Sequence, residues 1–450
     1  MTGKNVTPPR DDPDRAPVQQ PEHLDAYGVH GAEGTAPAPG MTTAIAAEGG
    51  GGVFGWLRRK KQAGVDEKAK EAYFTASQGQ LIWARFKSNR SAMIALWALV
   101  VMVLMGLFAP FLSPYNPTIA GRDANYENGA PQIPKFWDEN GFSIRPFIYA
   151  TERERSIKTN FRWVMTENRD KRLYLQFFVK DWRYSFVEID WDLPGSWLDV
   201  DLKLLTFDRH LFGVEGGKIH LFGTDASGKD IFGRTLHAIW TSLAVGTLGV
   251  MIAFILALII GGVSGYYGGW IDGLLQMITD AIRTVPPIPL FMALAAFMPD
   301  HWSSETRFFF ISIILGFIGW PTLARRIRTH LLTERSQEYV LAAELCGASS
   351  SHIIRRHLLP SFTSYIIVDL MISFPYMVRS ETALSFIGLG LKDPVNSLGA
   401  LMQNVSQADV LLNYQWYFIP VLFFIALVLA FVFVGDGLRD ASDPYSGTKK

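Results

Sequence analysis

The stretch 92–112, "AMIALWALVVMVLMGLFAPFL", carries no charged residue. It is about as long as the roughly twenty residues that a bilayer core demands. A segment like this has to satisfy its backbone internally, so in lipid it can only be a helix. Arg85, Lys87 and Arg90 precede it, and by the positive-inside rule they place the N-terminal side in the cytoplasm. Five more candidates follow. The second is the charge-free run 238–271. The third, 272–298, holds Asp280 and Arg283 and is interrupted at Pro286-Pro287. The fourth is 308–324, the fifth is 363–384 with Asp369 and Pro375 inside it, and the sixth is 416–434. Six spans put both termini on one side. They also put Arg325-Arg326-Ile327-Arg328 on the same side as the opening basic cluster, so two clusters agree on the orientation. The expected fold class is an all-α polytopic membrane protein of six transmembrane helices.

Between the spans the chain changes character. Residues 1–80 are rich in Pro, Gly, Ala and charge, include Gly49-Gly50-Gly51-Gly52, and show no apolar periodicity. Such a stretch predicts a disordered cytoplasmic tail, without the apolar region of a signal peptide. Arg58-Arg59-Lys60-Lys61 beside Phe54 and Trp56 reads first as a solvated charge run. The lead-in and first span occupy 85–112. Residues 113–235 are polar and aromatic, and so form an extracytoplasmic domain with a pre-span helix. In 172–190, Leu173, Leu175, Phe177 and Val179 alternate with other residues, which predicts strands with a turn near Lys180-Asp181. The insertion is expected to be small and mixed α/β. The transmembrane core runs over 236–437 with a cytoplasmic loop at 325–361, and a short cytoplasmic tail closes the chain at 438–450.

Lys+Arg and Asp+Glu are equal at 42 each, so charge points to no nucleic-acid partner. The single cysteine, Cys346, excludes an internal disulfide framework. "GTDASGKD" at 223–230 nearly fits the phosphate-loop pattern, but Asp230 stands where a hydroxyl should hold magnesium, and a carboxylate there repels phosphate. Ser227 as N-cap with Asp230 at N3 is the better reading, a capping box opening a short helix. His352 and His357 are five apart, off the spacing for two ligands on one helical face. No nucleophile–base pattern is present. We therefore expect no catalytic residue, no metal site and no cofactor.

The most unusual segment is "EYVLAAELCGASSSHIIRRHLLPS", 338–361. Tyr339, Val340, Ala342 and Ala343 suggest a short helix that Gly347 ends. A second helix runs from Ser350 to about His357, and Pro360 marks the start of the next span. The small residues at 342, 343, 347 and 348 leave a backbone surface that another protein can approach. On spacing alone, a polar connector with incidental small residues is an equal reading.

This segment resembles the EAA loop of permease subunits in ATP-binding-cassette importers, with pattern E-A-A-x-x-x-G, nine residues, then I-x-L-P. Ala342, Ala343, Gly347, Leu359 and Pro360 are in register; Leu341 replaces the glutamate and His357 the isoleucine. "HLFGTDASGKDIFGR", "GYYGGWID", "ETALSFIGLGL" and "GDGLRDASDP" are similar to the C-type permeases for dipeptides, oligopeptides and nickel. The insertion 119–219, with "FRWVMTENRD" and "DRHLFGV", looks like the branch that takes up peptides and microcin C. The resemblance implies a multi-pass bacterial inner-membrane subunit. Its partners would be a second homologous permease, two ATP-binding subunits or a fused ATPase, and a periplasmic solute-binding protein. It also implies that 338–361 transmits ATPase closure as a tilt of packed helices, with Gly261-Gly262 and Gly265 allowing close packing.

Acids within spans are costly, at roughly 2.5–3.5 kcal/mol each on insertion scales. Asp280 and Arg283 are three apart and can neutralise each other on one helix. Asp369 has no local partner, and Glu381 lies near Arg379. Asp280, Asp369 and Glu381 are thus candidates for the translocation path or for a structural role. Two other readings are an ion-coupled secondary transporter, which usually shows internal repeats, and a membrane-anchored periplasmic binding module.

Overall fold

The computed structural model describes residues 77–117, 124–139, 141–155, 163–192, 199–299, 302–361, 363–391 and 394–443. The expected tail before residue 77 and the chain end beyond 443 lie outside the described residues. Helix α1 (Gln78–Ser88) begins inside the stretch expected to be disordered. It meets α2 (Arg90–Leu107) at Asn89, whose side chain accepts from the Ala92 N–H at 3.3 Å. That cap satisfies a donor left over by the start of the helix. A further helical turn, Ala109–Leu112, follows.

Strands β1 (Lys135–Asp138), β2 (Gly141–Arg155), β3 (Trp163–Asp192) and β4 (Asp199–Val214) form an antiparallel sheet in sequential order. Among the described residues the helical part of the insertion is one 3₁₀ turn, Ala124–Tyr126. The expected mixed α/β insertion is therefore corrected to a β-meander. The expected turn near Lys180-Asp181 is also absent: β3 runs straight through and is shared. Its first half, to Tyr174, pairs with β2, and from Leu175 it pairs with β4. A register shift between Lys180 and Tyr184 takes up the polar residues that read as a turn, as a bulge does. At Phe178 the backbone is left-handed, φ +58°, which costs about 1–2 kcal/mol for a residue with a Cβ. Leu173 is buried, yet Phe177 is exposed, so the alternation fails where the strand changes partner.

Helix α3 (Ile231–Tyr267) has 37 residues and a length of about 55 Å, far beyond a bilayer core of roughly 30 Å. Its first turns stand in the β domain's polar base. The expected separate pre-span helix does not exist. Asp230 is itself the N-cap of α3, accepting from the Gly233 N–H at 2.7 Å. Ser227 sits in the turn before it, with its N–H donating to Asp225 Oδ1 at 2.8 Å.

Helices α4 (Gly269–Thr284) and α5 (Pro287–Ala296) occupy the expected third span and are separated at Val285-Pro286, because proline interrupts the helical ladder. Helix α6 (Ser304–Glu334) leads into α7 (Glu338–Leu345) and α8 (Ser350–Ile353). Then come α9 (Thr363–Phe386), α10 (Leu398–Val405), α11 (Ala408–Asn413) and α12 (Ile419–Ser442). Among the described residues four helices are long and apolar enough to cross a membrane: Arg90–Leu107, Ile231–Tyr267, Thr306–Glu334 and Gln415–Ser442. The other two expected spans fall short of that standard. One is the broken pair α4–α5, and the other is α9, which carries Asp369, Arg379 and Glu381.

Helices α3 and α6 pack through small residues. A Cβ at Gly261 would collide with the Ala324 backbone, and one at Gly265 would lie 2.9 Å from Leu331 Cβ. Gly262, grouped with them by sequence, would meet nothing within 4 Å.

A polar hub joins the β domain to the helices. His220 Nδ1 is 3.1 Å from Asp230 Oδ1, and Asp225 pairs with Arg234 of α3. Arg234 Nε donates to Asn396 at 2.6 Å. Trp416 Nε1 donates to the Thr224 carbonyl at 3.1 Å. The phosphate-loop look-alike is this hub: Asp225 accepts from the backbone of Ser227 and Lys229, so its turn is closed on itself. Asp225 and Arg234 are each 5% exposed. Removing one member of a buried pair costs about 3–5 kcal/mol. Asp225→Ala is therefore expected to lower the thermal midpoint of the purified protein sharply, and Asp225→Ala with Arg234→Met to recover part of the loss. An unchanged midpoint in the single variant would contradict the hub's structural role.

Candidate functional site

The loop 338–361 is built as two short helices around a glycine. Helix α7 ends in a Schellman arrangement: the Gly347 N–H donates to the Glu344 carbonyl at 2.9 Å and the Ala348 N–H to Ala343 at 3.1 Å. Gly347 has φ +78°, the left-handed state that only glycine adopts without strain. A Cβ there would meet nothing within 4 Å, so the requirement for glycine comes from the backbone and not from crowding within the chain. Ser349 is exposed and caps α8 by accepting from the His352 N–H at 3.4 Å.

Three apolar side chains clamp this loop to the helical core. Val340 and Leu358 are fully buried and Ile353 nearly so, in one cluster with Ile327 and Leu331 of α6. Ala343 and Ala348 pack against the same cluster. Ala342 faces out, and Pro360 is exposed in the turn Leu359–Ser361; the side chain of Leu359 lies outside the described residues. What the loop presents outward is apolar as well as charged. Leu345 is 90% exposed and Leu341 is 49% exposed, one turn apart on α7. Leu341, which replaces the glutamate of the pattern, thus belongs to an outward apolar stripe. A polar recess lined by Ser349, Ser351, His352, Arg355 and Arg356 lies alongside.

The histidines correct the spacing argument. A π-helical turn, Ile354–Leu358, follows α8, and its wider pitch brings the His352 and His357 rings to 5.8 Å. Among the described residues no cluster of three or more His, Cys, Asp or Glu side chains suits a metal. Tyr339 donates to Glu334 at 2.7 Å; burial raises the phenol above its usual pKa, so it remains a donor.

The acids find partners that sequence proximity did not supply. Asp280 pairs with Arg325 of α6, not with Arg283. Asp369 pairs with Arg326 at 2.5 Å. Arg328 pairs with Asp272, which also accepts from Ser264 at 2.5 Å. The Arg325–Arg328 run therefore ties α6 to α4 and α9. Glu381 is completely buried in a cage of hydroxyls, accepting from Ser385 at 2.7 Å and from Thr382 and Ser242 at 3.4 Å. Arg379 lies instead over the Tyr376 ring. In this conformation Glu381 does not line an open path, and the three acids do not form one site.

Comparison with known proteins matches this architecture. Residues 249–445 match the family described as "Binding-protein-dependent transport system inner membrane component". Residues 77–131 match the "N-terminal TM domain of oligopeptide transport permease C". The dipeptide transport system permease protein DppC of Lactococcus lactis is 28% identical over 85% of this chain and 94% of its own length. DppC of Bacillus subtilis is 37% identical over 50% of this chain and 68% of its own. The oligopeptide transport system permease protein OppC of Haemophilus influenzae is 34% identical over 56% and 78%. The chain is therefore a member of the binding-protein-dependent inner-membrane component family, a transport permease of the dipeptide and oligopeptide type of ATP-binding-cassette importer and not an enzyme.

Proposed function

We propose that this chain moves peptides or peptide-like compounds across the inner membrane, as half of a pore driven by a separate ATPase that docks on the loop 338–361. The observation that carries this is the rigid, outward-facing loop: Val340, Ile353 and Leu358 anchor it to the span-bearing core while Leu341 and Leu345 face out. A partner gripping that stripe moves α6 and α9 with it, since Arg325 and Arg326 tie those helices to their neighbours. The relatives' names speak for peptides, and microcin C is one such compound. A second homologous permease completes the pore, two ATP-binding subunits or a fused ATPase supply the energy, and a periplasmic solute-binding protein delivers the substrate. Asp280, Asp369 and Glu381 hold the helices together rather than touching the substrate.

The test is peptide uptake into vesicles containing this chain with its partner permease, ATPase and binding protein. Uptake that requires ATP is expected. Gradient-driven uptake by this chain alone would support a secondary transporter, and binding without transport an anchored binding module.

In this reading α4–α5 and α9 complete six spans, and both termini are cytoplasmic. Reporter fusions after Lys180 are expected to report an exported position and fusions after Ser336 a cytoplasmic one, following the basic residues at 85–90 and 325–328. The reverse pattern would contradict both the topology and the docking loop.

A further inference from the structure

A groove of about 850 Å³ lies between the end of α2 and the β3–β4 face. One wall is Val101, Leu104 and Phe108, which are 51%, 46% and 43% exposed. The other is aromatic: Phe186 meets Phe108 edge-on at 5.8 Å and Phe207 at the same distance. Phe178, whose left-handed backbone breaks the pleat, swings towards Phe111, with ring centres 6.3 Å apart. Backbone strain of this kind persists where a side chain must be aimed. The groove is continuous with the exposed face of α2 at its C-terminal end, and aromatic side chains concentrate where spans meet the membrane–water interface.

Its polar rim holds Arg209 and Asp208; Lys180, the cross-strand partner of Arg209, lies outside the lining and pairs with Asp208, which leaves the rim one net positive charge at Arg209. Lys180 has Asp208 at 3.6 Å; among the described residues no carboxylate pairs with the Arg209 side chain.

We propose that this groove is a phospholipid site, with an acyl chain lying along Val101, Leu104 and Phe108 beneath Phe178 and Phe207, and the headgroup phosphate held by Arg209. The inference rests on α2 crossing the membrane and not on the transported substrate. It gives the insertion a role in holding the outer end of the first span against the bilayer surface.

The test uses the full-length chain in vesicles of phosphatidylethanolamine and phosphatidylglycerol, with a trace of phosphatidylglycerol carrying a diazirine in its acyl chain. Labelled peptides are mapped by mass spectrometry. Labelling of 101–112 and of the Phe178 and Phe207 segments is expected to stand well above that of Ile255 and Ile259, which are also exposed on α3. Arg209→Gln should reduce groove labelling about fivefold, the effect of one lost surface cation on anionic-lipid attraction, while leaving Ile255 and Ile259 unchanged. Equal labelling of the groove and α3 in the wild-type protein would overturn the site. So would loss of groove labelling when the partner permease is co-assembled, which would show that protein covers it, and so would indifference to Arg209→Gln.

Discussion

Gly347→Val is expected to leave the protein abundant and inserted, while substrate-stimulated ATP hydrolysis and uptake fall together. Insertion depends on the apolar helices, and the loop contributes to none of the helices long enough to span. A valine at φ +78° is strained by roughly 1–2 kcal/mol, and more because it is β-branched. Relief requires unwinding the α7 terminus, which lowers the share of molecules holding the docking geometry by about tenfold. Beyond the residues adjoining Gly347 in the chain, nothing lies within 4 Å of the new Cβ position, so crowding of that Cβ within the chain adds little to the backbone strain. Ser349→Ala is the control for local stability. It removes the α8 cap, worth about 1 kcal/mol, without forcing a new backbone conformation, so uptake should be largely kept. Measured uptake and ATPase rates in the reconstituted complex decide this; normal coupling in Gly347→Val would make the loop a mere connector.

The second large effect is expected at the α3–α6 seam. Gly261→Val places its Cβ into the Ala324 backbone, and backbone cannot swing aside as a side chain can. The helices must separate, at a cost of about 1–3 kcal/mol or more. Gly262→Val, one residue along, has open space around the added Cβ and should be tolerated. Thermal unfolding of the two purified variants tests the pair. A loss in Gly262→Val equal to that in Gly261→Val would show that helix propensity, and not close packing, sets the effect.

What could be read from the sequence follows the range of the interactions involved. The loop was legible because its determinants are local: a helix stop at Gly347 acts within a few residues, although the cap that Ser349 provides was not read. The first span was legible for the same reason, being set by an unbroken apolar run. The acids were not, since Asp280 and Asp369 meet Arg325 and Arg326 across more than forty positions and only packing brings them together. Local charge pairing pointed to Arg283 instead. The continuous β3 was also hidden: Lys180-Asp181 signals a turn when alone, but pairing with β4 on both sides of the bulge carries the strand through. His352 and His357 became neighbours through a π-turn that ordinary helical spacing does not anticipate.

The docking claim can be tested most directly with the chain's own chemistry. Its single cysteine, Cys346, is exposed and sits beside Gly347 in the loop. Maleimide labelling of Cys346 should be fast in the isolated chain and strongly slowed once the ATPase is bound, with a short bifunctional maleimide linking the two subunits. Labelling of Cys346 at the same rate with and without the bound ATPase would contradict the assignment of 338–361 as the docking surface.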